Sequence, residues 1–110
     1  MKTLLKSIQY GMLDYIDGVE DPEYSSEDVN QCITLLLEFM TFMGSEPQTI
    51  ETATYEVQEL VLSLNELNAR CVHCLIETSE REDICKFIDK VITQAGLVFD
   101  HDLTAQWRQW

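Results

Sequence analysis

Apolar residues recur three and four positions apart through most of this chain, and nowhere do they alternate every second residue over a sustained stretch. That spacing lines one face of an α-helix and cannot line one face of a strand. Only four glycines and two prolines interrupt 110 residues, so long helices joined by few turns are expected. The length suits a single core. The predicted architecture is all-α: one acidic domain over residues 1–110, folded as a bundle of four to five helices.

The helices can be placed from their periodicity and end signals. The first is predicted from about Lys2 to Ile16, with Leu4, Leu5, Ile8, Met12, Leu13 and Ile16 on its inner face. Gly18 and Pro22 break it. Ser25, with Asp28 three residues on, forms a capping box for a second helix over about Ser26 to Met43. Its inward set is Val29, Ile33, Leu36, Leu37, Met40 and Met43. Leu35, Phe39 and Phe42 widen that stripe, which predicts a central, buried helix ended by Gly44. A third helix opens near Thr49 and either breaks near Asn68 or runs on through Cys71 and Leu75. Ser79 and Glu82 form a second box, opening a helix that buries Ile84, Phe87, Ile88, Val91, Ile92 and Ala95 and is closed by Gly96. Asp102 caps a short last helix.

Charge is distributed more informatively than its total of −13. No lysine or arginine stands between Lys6 and Arg70, an interval holding thirteen acids; the seven remaining acids balance all seven basic residues. A surface of one sign repels nucleic acid and anionic membrane and draws in cationic partners. No apolar run is long enough to cross a bilayer. The opening "MKTLLKSIQYGMLDY" is interrupted by Lys6, Ser7, Gln9 and Asp14, lacks a small-residue cleavage site, and is read as the first helix of a cytoplasmic protein.

"CVHC" at Cys71–Cys74 is the one stretch with the look of chemistry. On a continuous helix Cys71 and Cys74 lie about 60° apart, but His73 lies about 160° from Cys71, so the three cannot share a site. Zinc needs four ligands, and a second pair is missing; only an unwound turn would let Cys85 and His101 converge on them. A redox pair of the C-x-x-C kind opens a helix after a strand, and no strand is predicted. The thiols are therefore read as packing residues, with no metal and no cofactor. "DHD" at Asp100–Asp102 reads as a solvated linker. No phosphate loop or nucleophile elbow is present, and two histidines leave acid–base catalysis few actors, so the chain is not read as an enzyme.

The last third carries "LNEL" at Leu64–Leu67, "IETSEREDI" at Ile76–Ile84, "AGL" at Ala95–Leu97 and a terminal "RQW" at Arg108–Trp110. In these residues it resembles a family of small acidic bacterial proteins grouped as a domain of unknown function. Ile76, Glu77, Thr78, Arg81, Glu82, Ile84, Gly96, Arg108 and Trp110 fit the family's pattern without gaps. "CVHC" stands where the family usually has a Gly-Ser turn, and the acidic first half has no counterpart. The resemblance implies a helical fold and no catalytic residue.

These observations point to a binding protein that neutralises a basic protein partner, such as an immunity protein against a bacterial nuclease-type toxin. The expected partner-contacting residues are Asp14, Asp17, Glu20, Asp21, Glu23, Glu27, Asp28, Glu38 and Trp110; Trp107 is read as core. Two alternatives remain: a nucleic-acid mimic that blocks a DNA-binding protein, and a metal- or thiol-dependent protein using Cys71 and Cys74. Self-association into a homodimer is compatible with the sequence.

Overall fold

Local capping chemistry sets where the helices begin. Asp28 Oδ2 accepts the Ser25 N–H at 2.9 Å, the reciprocal contact expected at the head of the second helix. Thr49 and Thr52 do the same for the third: the Thr52 N–H donates to Thr49 Oγ1 at 3.2 Å, and the Thr49 N–H to Thr52 Oγ1 at 2.9 Å. The computed structural model describes residues 2–110, in the order α1 (Lys2–Gly18), α2 (Ser26–Ser45), α3 (Ile50–Arg70), α4 (Thr78–Gln94) and a 3₁₀ turn (Leu103–Gln106). Among the described residues there is no strand.

α1 packs on α4 and α2, α2 packs on α3, and the 3₁₀ turn returns to α3. The core between them holds Ile8, Met12, Leu36, Val57, Val61, Leu64, Ile84 and Phe87, all shut from solvent. At roughly 1.5–3 kcal/mol for each large side chain, this burial is the main force holding the helices together.

The helix ends differ from expectation in three places. α2 runs past Gly44 to Ser45, where the Ser45 hydroxyl donates to the Phe42 carbonyl at 2.8 Å. α4 starts two residues early: Glu77 is its cap, and Glu80 rather than Glu82 accepts the cap N–H, at 3.4 Å. Leu75 and Ile76 are buried, and the Ile76 N–H is held by Asn68 Oδ1 at 3.0 Å, which brings the chain into the helix before Ser79 is reached. The final element is a 3₁₀ turn, not an α-helix, with Asp102 as its cap as expected: its carboxylate accepts the Thr104 N–H at 2.9 Å. Gly96 closes α4 as predicted. It sits at φ 82°, with Leu97 N–H bonded back to Ile92 O, a turn that glycine enters without a Cβ penalty.

The prediction that α2 is a central, buried helix fails on one side. Val29, Cys32, Leu36, Phe39 and Met43 form its buried stripe, but Leu37 is 40% exposed and Phe42 37%. With α1, α3 and α4 as the neighbours of α2, the face of α2 turned away from them stays open.

Two buried asparagines on α3 fasten the rest of the chain to it. Asn65 Nδ2 donates to the Trp107 carbonyl at 2.7 Å and Asn65 Oδ1 accepts the Gln109 N–H at 3.0 Å, clamping the tail. Asn68, one turn on, holds Ile76 as described. Sequence periodicity passes over both because they are polar residues on an apolar face.

Candidate functional site

Four of the expected acidic residues line grooves, and they divide between two. The first, an open groove of about 730 Å³, lies where α1 turns into α2. Leu13 and Ile16 give it an apolar floor; Asp17, Glu23 and Asp28 stand around it. Asp14, Glu20, Asp21 and Glu27 are exposed close by in sequence. This loop is held firmly. Tyr15 and Tyr24 stack at 5.3 Å between ring centroids, with planes 16° apart. The Tyr24 hydroxyl donates to the Met12 carbonyl at 2.9 Å, and the Tyr15 hydroxyl donates to Glu23. The Tyr15–Glu23 bond stabilises the carboxylate and the neutral phenol together. It lowers Glu23 below the ordinary carboxylate range and, with burial, pushes Tyr15 up to about 12. Asp28 is partly committed to the α2 cap and Glu23 to Tyr15, so Asp17 is the freest carboxylate on this rim.

The second groove, of about 300 Å³, runs along the seam of α2 and α3. Leu35, Phe39, Phe42 and Leu60 line it, with Glu38 on the α2 rim and Glu56 and Glu59 on the α3 rim. The Glu59 carboxylate, one turn on from Tyr55, favours the neutral phenol and raises the Tyr55 pKa. An adjoining cleft of about 400 Å³ shares Glu38 and Phe42 and adds Leu37. Glu38 therefore belongs to a different site from the loop acids: it lies ten residues beyond Asp28, about 15 Å along the axis of α2. Sequence reasoning did not pick out Glu56 and Glu59 as contacts. Their spacing of three, opposite the extra apolar width of α2, was the available signal. Among the described residues, no lysine or arginine lines either groove.

Trp110, expected at an interface, is half-buried and packs against the core as Trp107 does, with the Arg108 guanidinium 5.6 Å from its ring centre. It does not stand clear of the surface as a free anchor.

"CVHC" turns out to be the end of α3. The His73 N–H bonds to Asn68 O at 2.8 Å, the Val72 N–H to Ala69 O at 3.2 Å, and the Cys74 N–H to Cys71 O at 3.0 Å. These bonds hold Val72 at φ 57° and His73 at φ 58°. Glycine usually fills such positions; a β-branched valine there is strained. Cys71 is buried beside Asp28, Cys74 is half-buried, and Cys85 accepts from Arg108 at 3.3 Å on the far side of α4. Cys85 and His101 share a cleft of about 40 Å³, and His101 Nδ1 pairs with Asp100 at 2.7 Å. Among the described residues, no three metal-binding side chains converge. Burial pushes Cys71 up to about 11 and Cys32 up to about 12, leaving both almost wholly as thiols at neutral pH and poor nucleophiles.

Among the described residues, no helix is long and apolar enough to cross a membrane. No family model, curated protein or solved structure matches the chain.

Proposed function

We propose that this protein binds and neutralises a basic protein, as an immunity protein does for a nuclease-type toxin in the bacterial cytoplasm, and that it is not an enzyme. The observation that carries the reading is the first groove: carboxylates around an apolar floor, fixed in place by the Tyr15–Glu23 and Tyr24–Met12 hydrogen bonds, inside a stretch without a single cation. Preorganised acids of one sign speed encounter with a cationic cleft, and a small apolar floor then slows dissociation. The weakly nucleophilic thiols favour binding over a thiol-dependent activity.

The test is capture of partners from the source cell, followed by kinetics. Association should slow steeply as salt rises, because exposed charges are screened beyond about 8 Å at physiological ionic strength. Reversing Asp17, Glu20, Asp21 and Glu23 to lysine should cut the association rate at least about tenfold. Reversing the exposed Glu82 and Asp89 of α4 should change it little. Glu80 and Asp83 do not serve as controls: Glu80 completes the α4 cap, and Asp83 accepts the Ser7 hydroxyl at 2.6 Å. Rates indifferent to salt, or only acidic partners captured, would refute the proposal.

A further inference from the structure

We infer that the α2–α3 groove is a second docking surface, and that its occupant is an amphipathic helix of the partner, apolar along one stripe and lysine- or arginine-bearing on both sides of it. The inference rests on the binding role proposed above and names what part of the partner this chain grips.

The groove itself selects that occupant. It runs beside about two turns of each helix, Leu35–Phe42 and Glu56–Ser63, and a third helix can lay two turns into such a channel by the same ridge-and-groove packing that joins α2 to α3. Its floor is apolar, and Phe42 is left partly in solvent although it belongs to the apolar stripe of α2; Leu37 opens only onto the adjoining cleft. Both rims are acidic: Glu38 on one side, Glu56 and Glu59 on the other. A guest with cations on only one flank would leave the opposite rim unpaired.

Other occupants fit less well. In a two-fold dimer the same patch meets itself, bringing like carboxylates together as the apolar floors close. Nucleic acid and anionic lipid are repelled by the same rims. An extended strand finds no unpaired backbone edge on a helical seam.

The probe is a fluorescent synthetic peptide of about 18 residues, long enough to span about 27 Å as a helix. It is made of leucine and lysine, with leucines at helical spacing and lysines on both flanks. Two controls accompany it: the same composition scrambled to destroy the stripe, and a version with glutamate for lysine. Titrated against the full chain labelled for amide spectroscopy, the designed peptide should bind and shift amides of α2 and α3 around the groove. Phe42→Ser, at a partly exposed position, should weaken it about tenfold while the circular dichroism spectrum stays helical, and Leu37→Ser, in the adjoining cleft, should change it little. Glu56→Gln with Glu59→Gln should weaken it several-fold and flatten its salt dependence. The loop variant with lysine at 17, 20, 21 and 23 should bind it within about threefold of the parent.

Equal binding of the scrambled peptide, or shifts confined to Leu13–Asp28, would overturn the inference. So would sedimentation showing a dimer that Phe42→Ser dissolves, which would give the groove to a second copy. The two proposals fail separately. If a captured cationic partner binds Phe42→Ser as tightly as the parent but loses affinity for the loop variant, the groove is wrong and the binding role stands. If no cationic partner is captured at all, the role itself is wrong.

Discussion

The α2–α3 hairpin and the α1–α4 pair bury similar apolar stripes, yet they treat charge in opposite ways. From Ser26 to Arg70 eight acids face one base, Arg70, at the very end; α1 and α4 together carry six acids and five bases. Solubility requires charge, but it does not require one sign on one hairpin, as the well-mixed α4 demonstrates. The outer surfaces differ too. α1 and α4 are joined across their seam by Ser7 and Asp83, whereas the α2–α3 seam opens into an apolar groove between glutamates. A region that keeps like charges close and leaves phenylalanine partly wet gives up some stability of its own.

The sharpest way to break this comparison is at the joint between the regions. Asn65→Ala removes the two hydrogen bonds that fasten the tail to α3 and should cost about 1–2 kcal/mol in urea denaturation, because the part-buried Trp107 carbonyl and Gln109 N–H lose their mates. A loss within error would mean that the tail is held by Trp107 packing alone.

Next in size is the strained connection from α3 to α4. Val72 is 65% exposed and packs little, so Val72→Gly should relieve the left-handed backbone and raise stability by about 1 kcal/mol, after allowing for the greater freedom of glycine in the unfolded chain. Destabilisation would show that the valine side chain contributes more than its backbone costs.

Smaller effects separate the two regions directly. Glu56 and Glu59 stand three apart as like charges, so Glu56→Gln with Glu59→Gln should stabilise by about 0.3 kcal/mol at low salt and by less as salt rises. On α4, where Glu82 precedes Lys86 by four, Lys86→Gln should destabilise by a similar amount. Thermal melts giving the same sign for both would erase the electrostatic contrast.

The effect of Glu80 is smaller still and depends on pH. Burial raises this carboxyl above its ordinary value of 4.5, so the folded state holds the proton more tightly than the unfolded chain does. Its contribution is fully present below about 4.5 and falls as pH rises through the raised folded-state value. Glu80→Gln keeps an acceptor for the α4 cap. It should match the parent near pH 4 and exceed it at pH 7, by well under about 1 kcal/mol because the group is partly solvated. A parent more stable than the variant at pH 7 would reverse the assignment. At the bottom of the scale, chelation should leave the melting temperature unchanged and zinc should be sub-stoichiometric, consistent with cysteines that do not converge.

Much of this protein was legible in its residues. The all-α class, the starts of α2 and α3, the Gly96 terminator and the acidic interval from Lys6 to Arg70 follow from periodicity, capping and charge. These act over a few neighbouring residues, or by simple position along the chain. Tertiary structure decided the rest. No local signal marks Val72 and His73 for the left-handed region; they enter it because Asn68 must both end α3 and hold Ile76 for α4. The same connection moved the α4 cap from Ser79 to Glu77. Three cysteines and a histidine that a sequence can only count are set apart by the packing, Cys71 beside Asp28 and Cys85 under Arg108. Periodicity names every apolar residue of α2, but exposure depends on which neighbours arrive. The arrangement of α1, α3 and α4 left Phe42 at the open side of an acidic groove and Leu37 in the cleft beside it.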